Sequence, residues 1–149
     1  MNTKPVFDNA QQTIGYALKR AQHALRRRMD ADLRGLDLSA AQYSVLTALK
    51  NQPGLSNADL ARAAFVTPQT MQAMLVKLER AGLIERTPDT QHGRIQRTGL
   101  TQKGRQTLTH ADKIVSHAES ILHDAIAPIS AEKMHAALIR CAEKLAHQH

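Results

Sequence analysis

The 149-residue chain is poor in the residue types that would declare a function directly. It has a single cysteine, Cys141, so no internal disulfide and no thiolate metal cluster is expected within it. It has no tryptophan, two phenylalanines and two tyrosines. That scarcity counts against a binder of single strands, which stacks bases on aromatic side chains. No run approaches the ~20 apolar residues that a membrane span needs, so no membrane protein is expected. The opening MNTKPVFDNAQQ lacks a charged region followed by an apolar run, and no signal peptide is read there. The chain is expected in the cytoplasm. It also lacks a Gly-rich phosphate loop, a Gly-x-Ser-x-Gly elbow and His-Glu-x-x-His, so neither an enzyme nor a cofactor is expected.

Basic residues are plentiful. Twenty Lys and Arg face thirteen Asp and Glu, for a net charge of +7 and a pI near 10.0. Such a balance favours a polyanion, either nucleic acid or an anionic membrane surface. The charge is uneven: net +3 over residues 1–38, +1 over 39–66, +4 over 67–105 and −1 over 106–149. One end suits a polyanion and the other suits protein.

Apolar spacing predicts mainly α structure with one small β-hairpin. Ile14, Leu18, Ala21, Leu25 and Met29 mark one face of a first helix, from about Asn9 to Leu33, that ends near Gly35. Ser39, with Gln42 three residues on, caps a second helix whose buried face holds Tyr43, Val45, Leu46 and Leu49. Ser56 caps a short third helix carrying Leu60, Ala61 and Ala64, and a brief turn at Phe65 and Val66 follows. Thr67-Pro68 opens a fourth, with Met71, Met74, Leu75 and Leu78 inward and Gly82 as its left-handed terminator. Leu83 to Arg86 and Ile95 to Leu100 read as strands around a polar loop from Thr87 to Gly93. Thr101 caps a fifth helix with a heptad seam at Leu108, Ala111, Val115, Ala118, Leu122 and Ala125. Pro128 ends it. Ser130 caps a sixth helix, striped by Met134, Leu138, Cys141 and Leu145.

The order from Ser39 to Leu100 is that of a winged helix-turn-helix flanked by long helices. The expected organisation is a dimerisation helix over 1–38, a DNA-binding unit over 39–100 and dimerisation helices over 101–149, in one intertwined unit. With its apolar face inward, the fourth helix turns Gln69, Thr70, Gln72, Ala73 and Lys77 outward. Gln and Thr reach base edges in the major groove, and Lys reaches phosphates. The residues expected at DNA are Thr67, Pro68, Gln69, Thr70, Gln72, Ala73 and Lys77 with the hairpin arginines Arg86, Arg94 and Arg97. The seam at Leu108, Ala111, Val115, Ala118 and Leu122 and the stripe at Met134, Leu138, Cys141 and Leu145 are expected to join two copies.

VTPQTMQAMLVKLERAGLIER followed by RTPDTQHGRIQRTGLTQKG resembles the multiple-antibiotic-resistance regulator (MarR) family of bacterial transcription factors. The resemblance rests on Leu78 to Ile84, leading into the wing, and on Leu100 to Gly104, closing it. It implies a homodimer on a pseudo-palindromic double-stranded operator, with the fourth helix in the major groove and the wing in the minor groove. It also implies a repressor relieved by a small phenolic or anionic aromatic effector, with Tyr16, His23 and Tyr43 as candidate lining residues. Two positions depart from the family's pattern. His92 stands where the wing usually has a carboxylate two residues before its arginine, here Arg94. Ala73 stands where many relatives have arginine.

Other readings have less to carry them. His110 and His117 are seven apart, with His123 and Asp124 beyond, whereas helical zinc sites favour i and i+4 spacing, so no metal is expected. Cys141 lies in an apolar stripe and reads as packing rather than as a redox switch. Alternatives to a sequence-specific regulator are a sensor acting through a protein partner, which needs no outward Gln-Thr-Gln set, and an architectural binder without sequence preference.

Overall fold

The computed structural model describes residues 9–147, so the first eight residues of the stretch read for a signal peptide lie outside the described residues. Among the described residues lie six α-helices and one hairpin: α1 (Ile14–Leu33), α2 (Ala40–Asn51), α3 (Asn57–Ala63), α4 (Pro68–Arg80), β1 (Ile84–Pro88), β2 (Gln96–Leu100), α5 (Gln102–Ile126) and α6 (Ala131–Ala146).

Most boundaries follow from capping chemistry. Ser39 and Gln42 form a reciprocal capping box at α2, and Ser56 and Asp59 form another at α3. Thr67 accepts from the Thr70 amide with Pro68 in the first turn, and Thr101 accepts from the Gly104 amide. Gly82, at φ 74°, closes α4 while Leu83 N–H donates back to Leu78 O at 3.0 Å.

The first helix starts later than expected and ends at Leu33 as expected. Asn9 caps only a 3₁₀ turn over Ala10–Gln12, and the extended Thr13 caps α1 four residues later than predicted. At the far end a second 3₁₀ turn, Arg34–Leu36, carries the chain past Gly35. Asp37 then supplies the left-handed residue at φ 52°, a conformation its short polar side chain tolerates. The first strand runs two residues further into the expected loop, because Thr87 and Pro88 pair with Arg97 and Gln96. Proline is accommodated at the end of an edge strand, where no ladder N–H is required. Leu55 adds an isolated antiparallel bridge to Thr98, giving the wing a third partial strand that the alternation pattern does not reveal.

One apolar core unites these elements. Leu46 and Leu49 of α2, Leu60 of α3, Met71, Leu75 and Leu78 of α4, Ile84 of β1 and Leu108 of α5 are all almost fully excluded from water. Leu108 and Ala111, expected at a subunit interface, belong to this core, and Ala118 is buried in the single chain as well. Leu108 and Ala111 therefore serve the chain's own packing, and Ala118 is already largely covered within it. Heptad spacing identifies a face and leaves open what covers it. The opposite condition holds for α6, which buries none of its residues, and for Ile14 at 76% and Leu145 at 73% exposure. Cys141, read as buried, is likewise exposed in the single chain.

Gly104 shows why α5 begins where it does. A β-carbon there would overlap the Leu83 carbonyl oxygen, a backbone atom that cannot rotate away. Gly104→Ala should therefore push α5 away from the Leu83 backbone and destabilise the fold by about 1–3 kcal/mol, the range for overpacking a tight site. Urea denaturation measures it, and an unchanged midpoint would contradict this close approach.

Candidate nucleic-acid interface

The outer face of α4 is built by what its inner face requires. Met71, Leu75 and Leu78 are buried and Met74 half-buried, so helical geometry leaves Gln69, Thr70, Gln72, Ala73 and Lys77 in solvent. Thr67 and Pro68 stand at the start of the same face, but their chemistry is committed to the helix end: the Thr67 hydroxyl donates to Thr70 Oγ1 at 3.0 Å, and Pro68 O accepts from Asn57 Nδ2 at 3.2 Å. A groove between the start of α2 and this face is lined by Ser39, Gln42, Gln69, Thr70, Ala73, Met74 and Lys77.

The three expected wing arginines have three different situations. Arg86 lies across α4: Nη2 donates to Glu79 Oε1 at 3.2 Å, Nε to Glu79 Oε2 at 3.4 Å and Nη1 to Gln72 Oε1 at 3.2 Å. Its side chain is only 13% exposed. It fastens the wing to α4 and does not project into a groove. Arg97 donates to Asp89 Oδ2 at 2.7 Å and to Gly54 O at 3.4 Å, tying the wing base to the loop after α2. Arg94 alone of the three stands at the exposed tip and makes no side-chain hydrogen bond or ion pair among the described residues.

Asp89 is the wing residue that the spacing does not single out. Besides Arg97, its carboxylate accepts from the Gln91 and His92 amides at 2.8 and 3.0 Å, folding the tip into an Asx-type turn. Asp89 N–H donates to Ile95 O and Ile95 N–H to His92 O, which closes the turn and holds Ile95 out of the strand. The Pro88-Asp89 dipeptide is the available signal. The carboxylate missing at position 92 thus has a counterpart at Asp89, spent on the tip backbone and Arg97 rather than on Arg94.

The effector candidates do not meet. Tyr43 of α2 donates to Asp112 Oδ1 of α5 at 2.8 Å, and Lys50 pairs with Asp112 Oδ2 at 3.3 Å. Burial, followed by the hydrogen bond to Asp112, raises the Tyr43 hydroxyl above its ordinary value, so it is a neutral donor bracing α2 against α5. Tyr16 is on the exposed early part of α1, and His23 lines a shallow depression formed by α1 alone. A cavity of about 230 Å³ opens instead between α1, α2 and the end of α3, lined in part by Gln22, Arg26, Met29, Ser44 and Phe65. Phe65 stands there at 96% exposure with φ 56°. Among the described residues no three His, Cys, Asp or Glu side chains gather to hold a metal, and no helix is long and apolar enough to cross a membrane.

A short helix, a turn, a polar-faced second helix and an arginine-tipped hairpin define a winged helix-turn-helix protein. A family model described as MarR family matches residues 36–95. The HTH-type transcriptional repressor Rv2887 of Mycobacterium tuberculosis is 39% identical over 107 residues, covering 72% of this chain and 77% of that protein. The chain belongs to the MarR family of transcriptional regulators. Among solved structures, the transcriptional repressor CouR bound to a 23-mer DNA duplex is 29% identical with a TM-score of 0.79, over 97% of this chain and 100% of that one. The Mycobacterium tuberculosis MarR family protein Rv2887 in complex with salicylic acid is 36% identical with a TM-score of 0.66, over 93% and 98%.

Asp89 also gives the wing a pH limit. The hydrogen bond from Arg97, followed by those from the Gln91 and His92 amides, lowers its pKa from 3.8 to about 2. A depressed folded-state pKa stabilises above the unfolded value, and that stabilisation disappears as pH falls from 3.8 towards about 2. Carboxyl-detected NMR titration should place the Asp89 midpoint near about 2, and Asp89→Asn should loosen residues 89–95 at neutral pH. A midpoint at the ordinary carboxylate value would show that the Asx turn does not form.

Proposed function

We propose that this chain is a homodimeric repressor that binds a pseudo-palindromic DNA operator and releases it on binding a small anionic aromatic effector. The observation that carries the reading is the exposed Gln69, Thr70, Gln72 and Lys77 set on the second helix of a helix-turn-helix, beside the unpaired Arg94. The set fits the major groove, where Gln and Thr meet base edges and Lys meets phosphate. Arg94 at the wing tip suits the minor groove, whose negative potential attracts a guanidinium without demanding a fixed rotamer. The DNA duplex bound by CouR supports double-stranded DNA as the partner.

Dimerisation supplies the second half-site. The surfaces available are the first turns of α1, from Ile14 to Leu18, and the stripe of Met134, Leu138, Cys141 and Leu145 on α6; on α5, Leu122 is half-buried and Val115 packs partly against the chain's own core. The cavity between α1, α2 and Phe65 borders the helix-turn-helix, so a ligand there would bear on the α3–α4 turn; Arg26 supplies a cation for an acidic ligand. The salicylic acid bound by Rv2887 supports that ligand class.

Selection of duplexes from a random pool tests the reading: one enriched two-fold site is expected, and equal recovery of all sequences would favour an architectural binder. Light scattering should give twice 16.4 kDa. On the selected site, Lys77→Ala should weaken all duplexes alike. Arg94→Ala should weaken binding and lower the salt slope by about 0.9 for each phosphate that the arginine neutralises. An unchanged slope for Arg94→Ala would remove the wing from the interface. Thermal shift with salicylate and benzoate should show stabilisation, and none, with DNA affinity also unchanged, would leave the chain without this class of effector.

A further inference from the structure

Gln72 is not free to present either end of its amide. Arg86 Nη1 donates to Gln72 Oε1 at 3.2 Å, and a guanidinium has no acceptor, so the oxygen must be the end that faces Arg86. Arg86 is itself held in place by the two bonds to Glu79 and is nearly withdrawn from solvent. Glu79 and Gln72 are seven residues, two helical turns, apart on α4, and one arginine from β1 spans both. The remaining polar end of Gln72, its amide nitrogen, is left to the exposed face.

We infer that Arg86 is a positioning residue that holds Gln72 with its amide nitrogen outward, making it a hydrogen-bond donor that selects guanine at the base pair it reads. This rests on the DNA-binding reading above. An unconstrained glutamine favours adenine, because oxygen and nitrogen together match the N6 donor and N7 acceptor. With the oxygen engaged by Arg86, that bidentate match is no longer available. Guanine offers two adjacent acceptors, O6 and N7, to the two hydrogens of one amide nitrogen. Adenine offers one acceptor beside a donor, and cytosine presents only a donor, which opposes the amide.

The test compares base preferences of the full-length wild type, Gln72→Ala, Arg86→Met and Arg86→Lys in selection from a random duplex pool, followed by binding to duplexes varied at the position that Gln72→Ala flattens. Arg86→Lys keeps a positive charge beside Glu79 but lacks the planar fork that spans both partners. The wild type is expected to favour guanine over adenine by about ten-fold at that position, within the range for one specific base interaction. Both Arg86 variants should turn this preference to adenine, a change that general loosening of the wing would not produce, whereas a merely flattened profile would mark a structural role and overturn the inference. The wild-type and Gln72→Ala profiles alone decide the base class. A wild-type preference for adenine there, no position altered by Gln72→Ala, or a guanine preference kept by both Arg86 variants overturns this inference while leaving DNA binding intact. Failure of the wild type to enrich any sequence overturns the binding reading and this inference together.

Discussion

The contact on which the arrangement turns is the approach of the first turn of α5 to the backbone of Leu83. With only a hydrogen at Gly104, the helix comes close enough for Thr101 N–H to donate to Leu83 O at 3.1 Å and its hydroxyl to Gly82 O at 2.6 Å. Lys103 reaches Ala81 O at 2.8 Å, and Arg105 reaches Leu100 O at 3.0 Å. The end of α4, both wing strands and the start of α5 are thereby fastened within a few residues of one another. Those bonds satisfy carbonyls at the C-terminus of α4 that the helix itself leaves open. The end of α4 and the base of the wing are thus fixed against the first turn of α5.

Local signals make much of this legible in the sequence. The Ser39–Gln42 box, Thr67-Pro68, Gly82 and Thr101 each act through hydrogen bonds spanning a few residues, so sequence alone locates them. What escapes depends on packing between distant segments. The sequence shows Arg86 as a cation on a basic hairpin; only the seating of β1 against α4 brings it to Glu79 and Gln72. The third strand at Leu55 and the bond from Tyr43 to Asp112, 69 residues apart, have the same origin. The α5 seam is intermediate: its spacing marks a face correctly, but Leu108 and Ala111 on that face meet the chain's own core.

Formal charge overstates what the α4 and wing region can offer a polyanion. Arg86 and Arg97 are neutralised by Glu79 and Asp89, and Lys103 and Arg105 are directed at backbone carbonyls. Lys77, Arg80 and Arg94 make no such side-chain contact among the described residues. The basic residues thus divide into those that hold the helix and wing together and those left unpaired among the described residues. Exposure and pairing, rather than net charge, draw that line.

The bare condition of α6 ties the chain's folding to how much of it is present. A 16-residue helix is close to the length at which an isolated helix is only marginally stable in water, about 12–15 residues. With no residue buried in its own chain, α6 draws little support from packing there. If two copies associate through α6 as proposed, its order becomes a matter of mass action: association would supply the missing apolar burial, and dilution would remove it. The amount of regulator in a cell would then set how much of each molecule is folded as well as how many operator sites are filled.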